Sequence, residues 1–118
     1  AATPADVTRL LRTGVLKAAV GCHALQVEGE RDGAPRTLRF SCMGPSLRDV
    51  QAWMPGATNM SYRVGVSAAI LVEMAAKGEV GPVGIYPPEC LSAESRRRFL
   101  ERLEAEHLKV DRSETPAA

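Results

Sequence analysis

The run from Thr58 to Leu91, TNMSYRVGVSAAILVEMAAKGEVGPVGIYPPECL, constrains this chain most. A polar, slightly basic turn leads into a long apolar stretch that a helix must accommodate. Asn59 or Ser61 suits the cap of that helix, because a short polar side chain satisfies the free N–H groups of a first turn. Val64, Val66, Ala68 to Val72 and Met74 to Ala76 leave almost no polar stripe, so the helix is expected to be buried on most sides. Glu73 and Lys77, four apart, mark its solvent edge. Gly78 is placed to end it in the left-handed conformation. Val83 to Tyr86 then reads as a short buried strand, stopped by Pro87-Pro88.

Ahead of this run, Val15 to Glu30 reads as extended, with His23, Leu25 and Val27 on one side. Asp32-Gly33 supplies the residues that a tight hairpin turn favours. Thr37 to Met43 returns as a strand, with Leu38, Phe40 and Cys42 on one face. Pro35 fits an outer strand, where a missing N–H costs little. Between Gly44 and Thr58, Leu47, Val50 and Met54 suit a turn or two of helix, and Trp53 is a core anchor or part of a dimer contact. After the prolines, Ser92 caps another helix with Phe99, Leu100 and Leu103 inward and His107 or Leu108 at its end. Lys109 to Arg112 fits a last short strand. Thr8 to Arg12 fits a short helix or a lead-in.

These elements predict an α+β fold: a β-hairpin followed by helix, strand and helix, with a mixed sheet and the helices packed on one face. The domain plan is a lead-in over 1–14, a single α+β domain over 15–112 and a flexible tail over 113–118. The chain does not begin with Met, which suggests an excised or processed domain with Ala1 and Ala2 as extra residues.

Composition excludes several classes. Fifteen basic residues against 14 acidic ones give a net charge of +1, and aromatics are 4%. Neither property recommends nucleic acid or an anionic membrane as partner. No apolar run is long enough to cross a bilayer. Cys22, Cys42 and Cys90 lack metal spacing. Paired strands could bring Cys22 near Cys42, but free thiols in a cytoplasmic protein are the simpler reading.

Candidates for chemistry are few. No phosphate-cradling glycine loop and no nucleophile elbow occurs. His23 reads as a structural histidine, and His107 as one favoured at a helix C-terminus. Arg96, Arg97 and Arg98, interleaved with Glu94, Glu101 and Glu104, read as a solvated face. Asn59, Ser61, Tyr62 and Arg63 cluster at the start of the apolar helix. Two readings stand for them: a seat for an amino-acid carboxylate, with Arg63 as the planar donor, or a plain helix cap.

Met60, Arg63, Gly65, Ala68, Ala69 and Ile70, then Gly84-Ile85 with Pro88-Glu89, then Phe99-Leu100 and Leu103 form an ordered set. That set, preceded by the hairpin VEGERDGAPRTLRF, resembles the C-terminal part of the saccharopine dehydrogenase and lysine 6-dehydrogenase family over roughly Val20 to Val110. Val64 and Ser67 depart from it, where the family often has Thr and Pro.

The resemblance implies the substrate-binding and dimerisation domain of an NAD(P)-dependent oxidoreductase. It implies no catalytic, cofactor-binding or metal residue in this chain, and NAD(P) held by a Rossmann domain outside it. It also implies an amino-acid-like substrate met by Arg63, a homodimer, and a cytoplasmic location; the helix-start cluster adds Asn59 and Tyr62 as expected substrate contacts. The alternative is a stand-alone α+β interaction module without catalysis.

Overall fold

Asp32 and Gly33 form a two-residue turn with both φ angles positive, 54° and 74°. That handedness matches the twist of the strands it joins, and Gly33 meets it without a Cβ clash. The turn sits in a computed structural model that describes residues 3–81 and 84–116. Strand β1 (Cys22–Arg31) pairs antiparallel with β2 (Ala34–Met43) in one unbroken register from Cys22 opposite Met43 to Arg31 opposite Ala34. A third strand, β3 (Val110–Pro116), lies along the other side of β2, from Cys42 opposite Val110 to Arg36 opposite Pro116.

The sheet order is β1-β2-β3, antiparallel throughout, which corrects the expected mixed sheet. A further strand was expected over Val83–Tyr86. Val83 lies outside the described residues, and Gly84 to Tyr86 is irregular. β2 is central rather than outer. Pro35 is still accommodated, because the ladder to β3 begins at Arg36. β3 also takes in Ser113 to Pro116, assigned above to the tail. Glu114 and Thr115 pair with Leu38 and Thr37, and an Arg31–Glu114 ion pair of 2.9 Å crosses the sheet.

Helix α1 (Pro4–Arg12) opens with a capping box between Thr3 and Asp6. Residues 15–21 are not strand, because their polar groups serve other elements. Ala19 O accepts from Leu47 N at 2.8 Å, and Gly21 O accepts from Arg63. Helix α2 (Leu47–Trp53) is capped by Ser46 and Asp49. Helix α3 (Asn59–Ala76) starts where expected, but its cap is Thr58, reciprocated by Ser61. Gly78, at φ 70°, follows its end. A 3-10 turn at Pro88–Cys90 leads to α4 (Ala93–Ala105), capped by Ser92.

The core lies in the helical layer. Val50, Tyr62, Ile70, Met74, Leu103 and Leu108 pack together, and Cys42 brings one end of the sheet against them. β1 and β3 stay exposed along their whole length. The radius of gyration, 17.8 Å, exceeds the roughly 13 Å usual for about 100 residues, because the sheet projects from the helices instead of lying beneath them. α3 is not buried on most sides either. α2 and α4 cover its Tyr62, Ile70 and Met74 side and the base of the hairpin covers Arg63, leaving Val64 64% and Val72 70% exposed. Leu100 faces solvent, and Ser95 takes the inward position, donating to Glu79 O at 2.8 Å.

Met74→Ala should therefore cost about 2–5 kcal/mol in urea unfolding, while Val72→Ala should stay within about 0.5 kcal/mol. Acid should loosen the start of α2. The Ser46 hydroxyl, 2.6 Å away, and then the Ser46 N–H hold the Asp49 carboxyl below its ordinary range. A carboxyl depressed in the folded state contributes stability above its unfolded value and loses it as pH falls through the folded one. An NMR titration should find Asp49 titrating lower than a free aspartate, and Asp49→Asn should remove that part of the acid sensitivity.

Candidate functional site

The first turn of α3 carries all three residues expected to meet a substrate, and the fold sends them to different neighbours. Asn59 is half-buried at the helix start. Ser61 N donates to Thr58 Oγ1 at 3.1 Å, and Thr58 N donates to Ser61 Oγ at 2.8 Å, so the chain's own box closes this helix end.

Tyr62 is buried against the end of α4. Its hydroxyl lies 3.3 Å from the Glu106 carboxylate and 3.4 Å from Glu106 O. Burial, then the Glu106 charge, pushes its ionisation up. Trp53 tilts over Tyr62, ring centres 5.9 Å apart, and stacks on His107 at 4.7 Å. The Trp53 side chain thus joins the ends of α2, α3 and α4. His107 holds a positive φ of 61° just past the end of α4.

Arg63 points away from this cluster, toward the base of the hairpin. Only 7% of it is exposed. Its guanidinium donates to Gly21 O and lies against two glycines. A Cβ on Gly44 would stand 2.7 Å from Nη2 and 2.9 Å from Cζ, and one on Gly21 would stand 3.2 Å from both terminal nitrogens. A side chain at Gly44 would force the guanidinium to shift. Arg63 Nε is buried and has no hydrogen-bond partner among the described residues.

Arg63 also borders an open cavity of about 350 Å3 between the sheet and α3. His23, Cys42, Val64, Ser67, Leu103 and Leu108 complete its wall. Tyr62 and Asn59 are not among its lining residues. A planar guanidinium, a hydroxyl and an imidazole on an otherwise apolar wall can receive a small anionic or amphipathic molecule. The sequence reading set His23 aside as structural and noted Ser67 only as a departure from the family pattern. The pattern that pointed to them is the alternation placing His23 beside Cys42 across the hairpin, together with the four-residue step from Arg63 to Ser67 along one helix side.

Other candidates resolve as structure. Arg97 and Arg98 pair with Glu94, and Arg97 also with Glu101. The three cysteines are free. Cys22 opposes Met43 while Cys42 opposes His23, which puts the two thiols on opposite faces of the sheet. Among the described residues no group of His, Cys, Asp or Glu is placed to hold a metal ion, and no helix is long and apolar enough to cross a membrane. Among the described residues, no strand runs through a glycine-rich turn into an open helix start. β1 turns directly into β2, and the helix that follows β2 has its first turn closed by Ser46 and Asp49.

Neither a curated protein nor a solved structure gives a match to this chain. The family model of the saccharopine dehydrogenase C-terminal domain matches residues 17–108, from before the hairpin to the end of the helical layer. The chain therefore belongs to the saccharopine dehydrogenase C-terminal domain family.

Proposed function

We propose that this chain is the substrate-binding and dimerisation domain of a saccharopine or lysine dehydrogenase-like, NAD(P)-dependent oxidoreductase of the cytoplasm. The observation that carries the reading is the buried Arg63 guanidinium on the wall of the cavity shared by the hairpin and α3. One of its edges is committed to Gly21 O, and Nε has no hydrogen-bond partner among the described residues. In this reading the carboxylate of an amino-acid-like substrate sits near Arg63 and Ser67, with His23 at the mouth. Tyr62 and Asn59 act indirectly, by holding the helix start that orients Arg63. NAD(P) supplies hydride transfer when bound to a Rossmann domain outside these residues, and this chain contributes the seat for the substrate. A second reading, an association module without chemistry, is favoured by the sheet left exposed on both faces.

Titration of the 118-residue chain with L-lysine and with L-glutamate, followed by NMR, separates the two. The substrate-domain reading expects saturable shifts at His23 and Ser67 and weakening by Ser67→Leu. It also expects no tight NAD(P) binding and no dehydrogenase activity from this chain. Shifts confined to other surfaces, or none, would favour the module, and turnover by the isolated chain would overturn the reading. The structural share of Arg63 is measured separately. Gly44→Ala should cost about 1–3 kcal/mol through the collision with the guanidinium, whereas Gly29→Ala, which meets open space, should cost nothing comparable in the same denaturation assay.

A further inference from the structure

The two edges of the sheet are built differently. β3 carries Asp111, Arg112, Glu114 and Pro116 within seven residues. Charges and proline are the usual means of keeping a free edge from pairing with another strand. β1 has no such protection over Cys22 to Val27, CHALQV, where there is no Lys, Arg, Asp, Glu or Pro. Its register with β2 is continuous, without a bulge to turn the edge aside. Among the described residues β1 pairs only with β2, so its outer row of backbone groups faces solvent. Leu25 is 60% and Val27 44% exposed on the face they share with Leu38 and Phe40.

We propose that β1 is the strand through which two copies of this chain join, antiparallel and edge to edge, about a two-fold axis at Leu25. The inference rests on the dimerisation part of the reading above and names its surface. In this register Leu25 lies opposite Leu25 of the second copy, Ala24 opposite Gln26, His23 opposite Val27, and Cys22 opposite Glu28. Opposed residues share a face in an antiparallel pair, so the Leu25, Val27, Leu38 and Phe40 face of one copy continues into that of the other.

The charges are compatible with this register. It leaves Glu30 and Arg31 beyond the paired segment and sets Glu28 against an uncharged residue. An axis at Val27 would instead draw Glu30 and Arg31 into the ladder, with Arg31 beside His23. Shape permits the approach, because the helical layer meets the sheet at its Cys42 end and leaves the hairpin projecting. The product is one six-stranded sheet whose two outer edges are the guarded β3 strands.

Sedimentation equilibrium on the full chain tests the proposal. The wild type should show a concentration-dependent two-chain mass. Leu25→Lys and Leu25→Glu should each raise the dissociation constant about tenfold or more, since like charges then face each other across the axis. Both variants should keep their circular dichroism, because Leu25 is exposed. An equimolar mixture of the two should regain the two-chain mass, with Lys facing Glu, and a structural defect would not produce that rescue. A dimeric wild type whose dissociation constant neither variant changes would overturn the β1 edge while leaving dimerisation intact. A wild type of single-chain mass at millimolar concentration would overturn both. Failure of the mixed variants to pair would overturn the axis at Leu25.

Discussion

The position of the hairpin relative to the helices depends on one guanidinium. Arg63 leaves the first turn of α3, is almost fully buried, and reaches the point where β1 begins and β2 ends. Its hydrogen bond to Gly21 O anchors the entry of β1, and its flat face fills the space that Gly44 leaves at the exit of β2. Burying a charged group is costly unless its donors are occupied, so the arrangement is worth keeping only if the joint is needed. The same side chain that fixes the joint also walls the cavity. Architecture and cavity wall are therefore not separable at this residue, whereas His23 and Ser67 contribute to the wall from an exposed and a half-buried position.

How far the sequence could be read follows from how local each feature is. The Asp32-Gly33 hairpin, the cap at Ser92 and the left-handed Gly78 depend on a few adjacent residues, and each stands where the pattern places it. Properties that depend on distant partners were hidden. The apolar length of α3 suggested burial all round, yet nothing among the described residues covers Val64 or Val72. The centrality of β2 could not be read, because β3 arrives from about 70 residues later and its charged composition resembles a tail. The site shows the same division. The helix start was legible from Asn59 to Arg63, but the direction in which Arg63 points is set by Gly21 and Gly44, residues far from it in sequence.

An exposed sheet beside a packed helical layer also bears on how the domain is stabilised. Burial of apolar area is the main favourable term in folding, and here it is concentrated in Val50, Ile70, Met74, Leu103 and Leu108. The hairpin relies on ladder hydrogen bonds, cross-strand pairs and its attachment at Cys42 and Arg63. Hydrogen exchange in such a molecule is expected to be slowest in the helices and faster toward the Asp32-Gly33 tip.

The capping boxes have a wider implication. α1, α2 and α3 each begin with a hydroxyl residue and a partner three positions on that occupy the leading N–H groups reciprocally. A phosphate or carboxylate approaching these helix starts meets oxygen atoms already in place, and must displace them to gain anything from the dipole. At these three helix starts an anion would have to be met by long cationic side chains, whose reach and angle can be retuned by single substitutions without unwinding a helix.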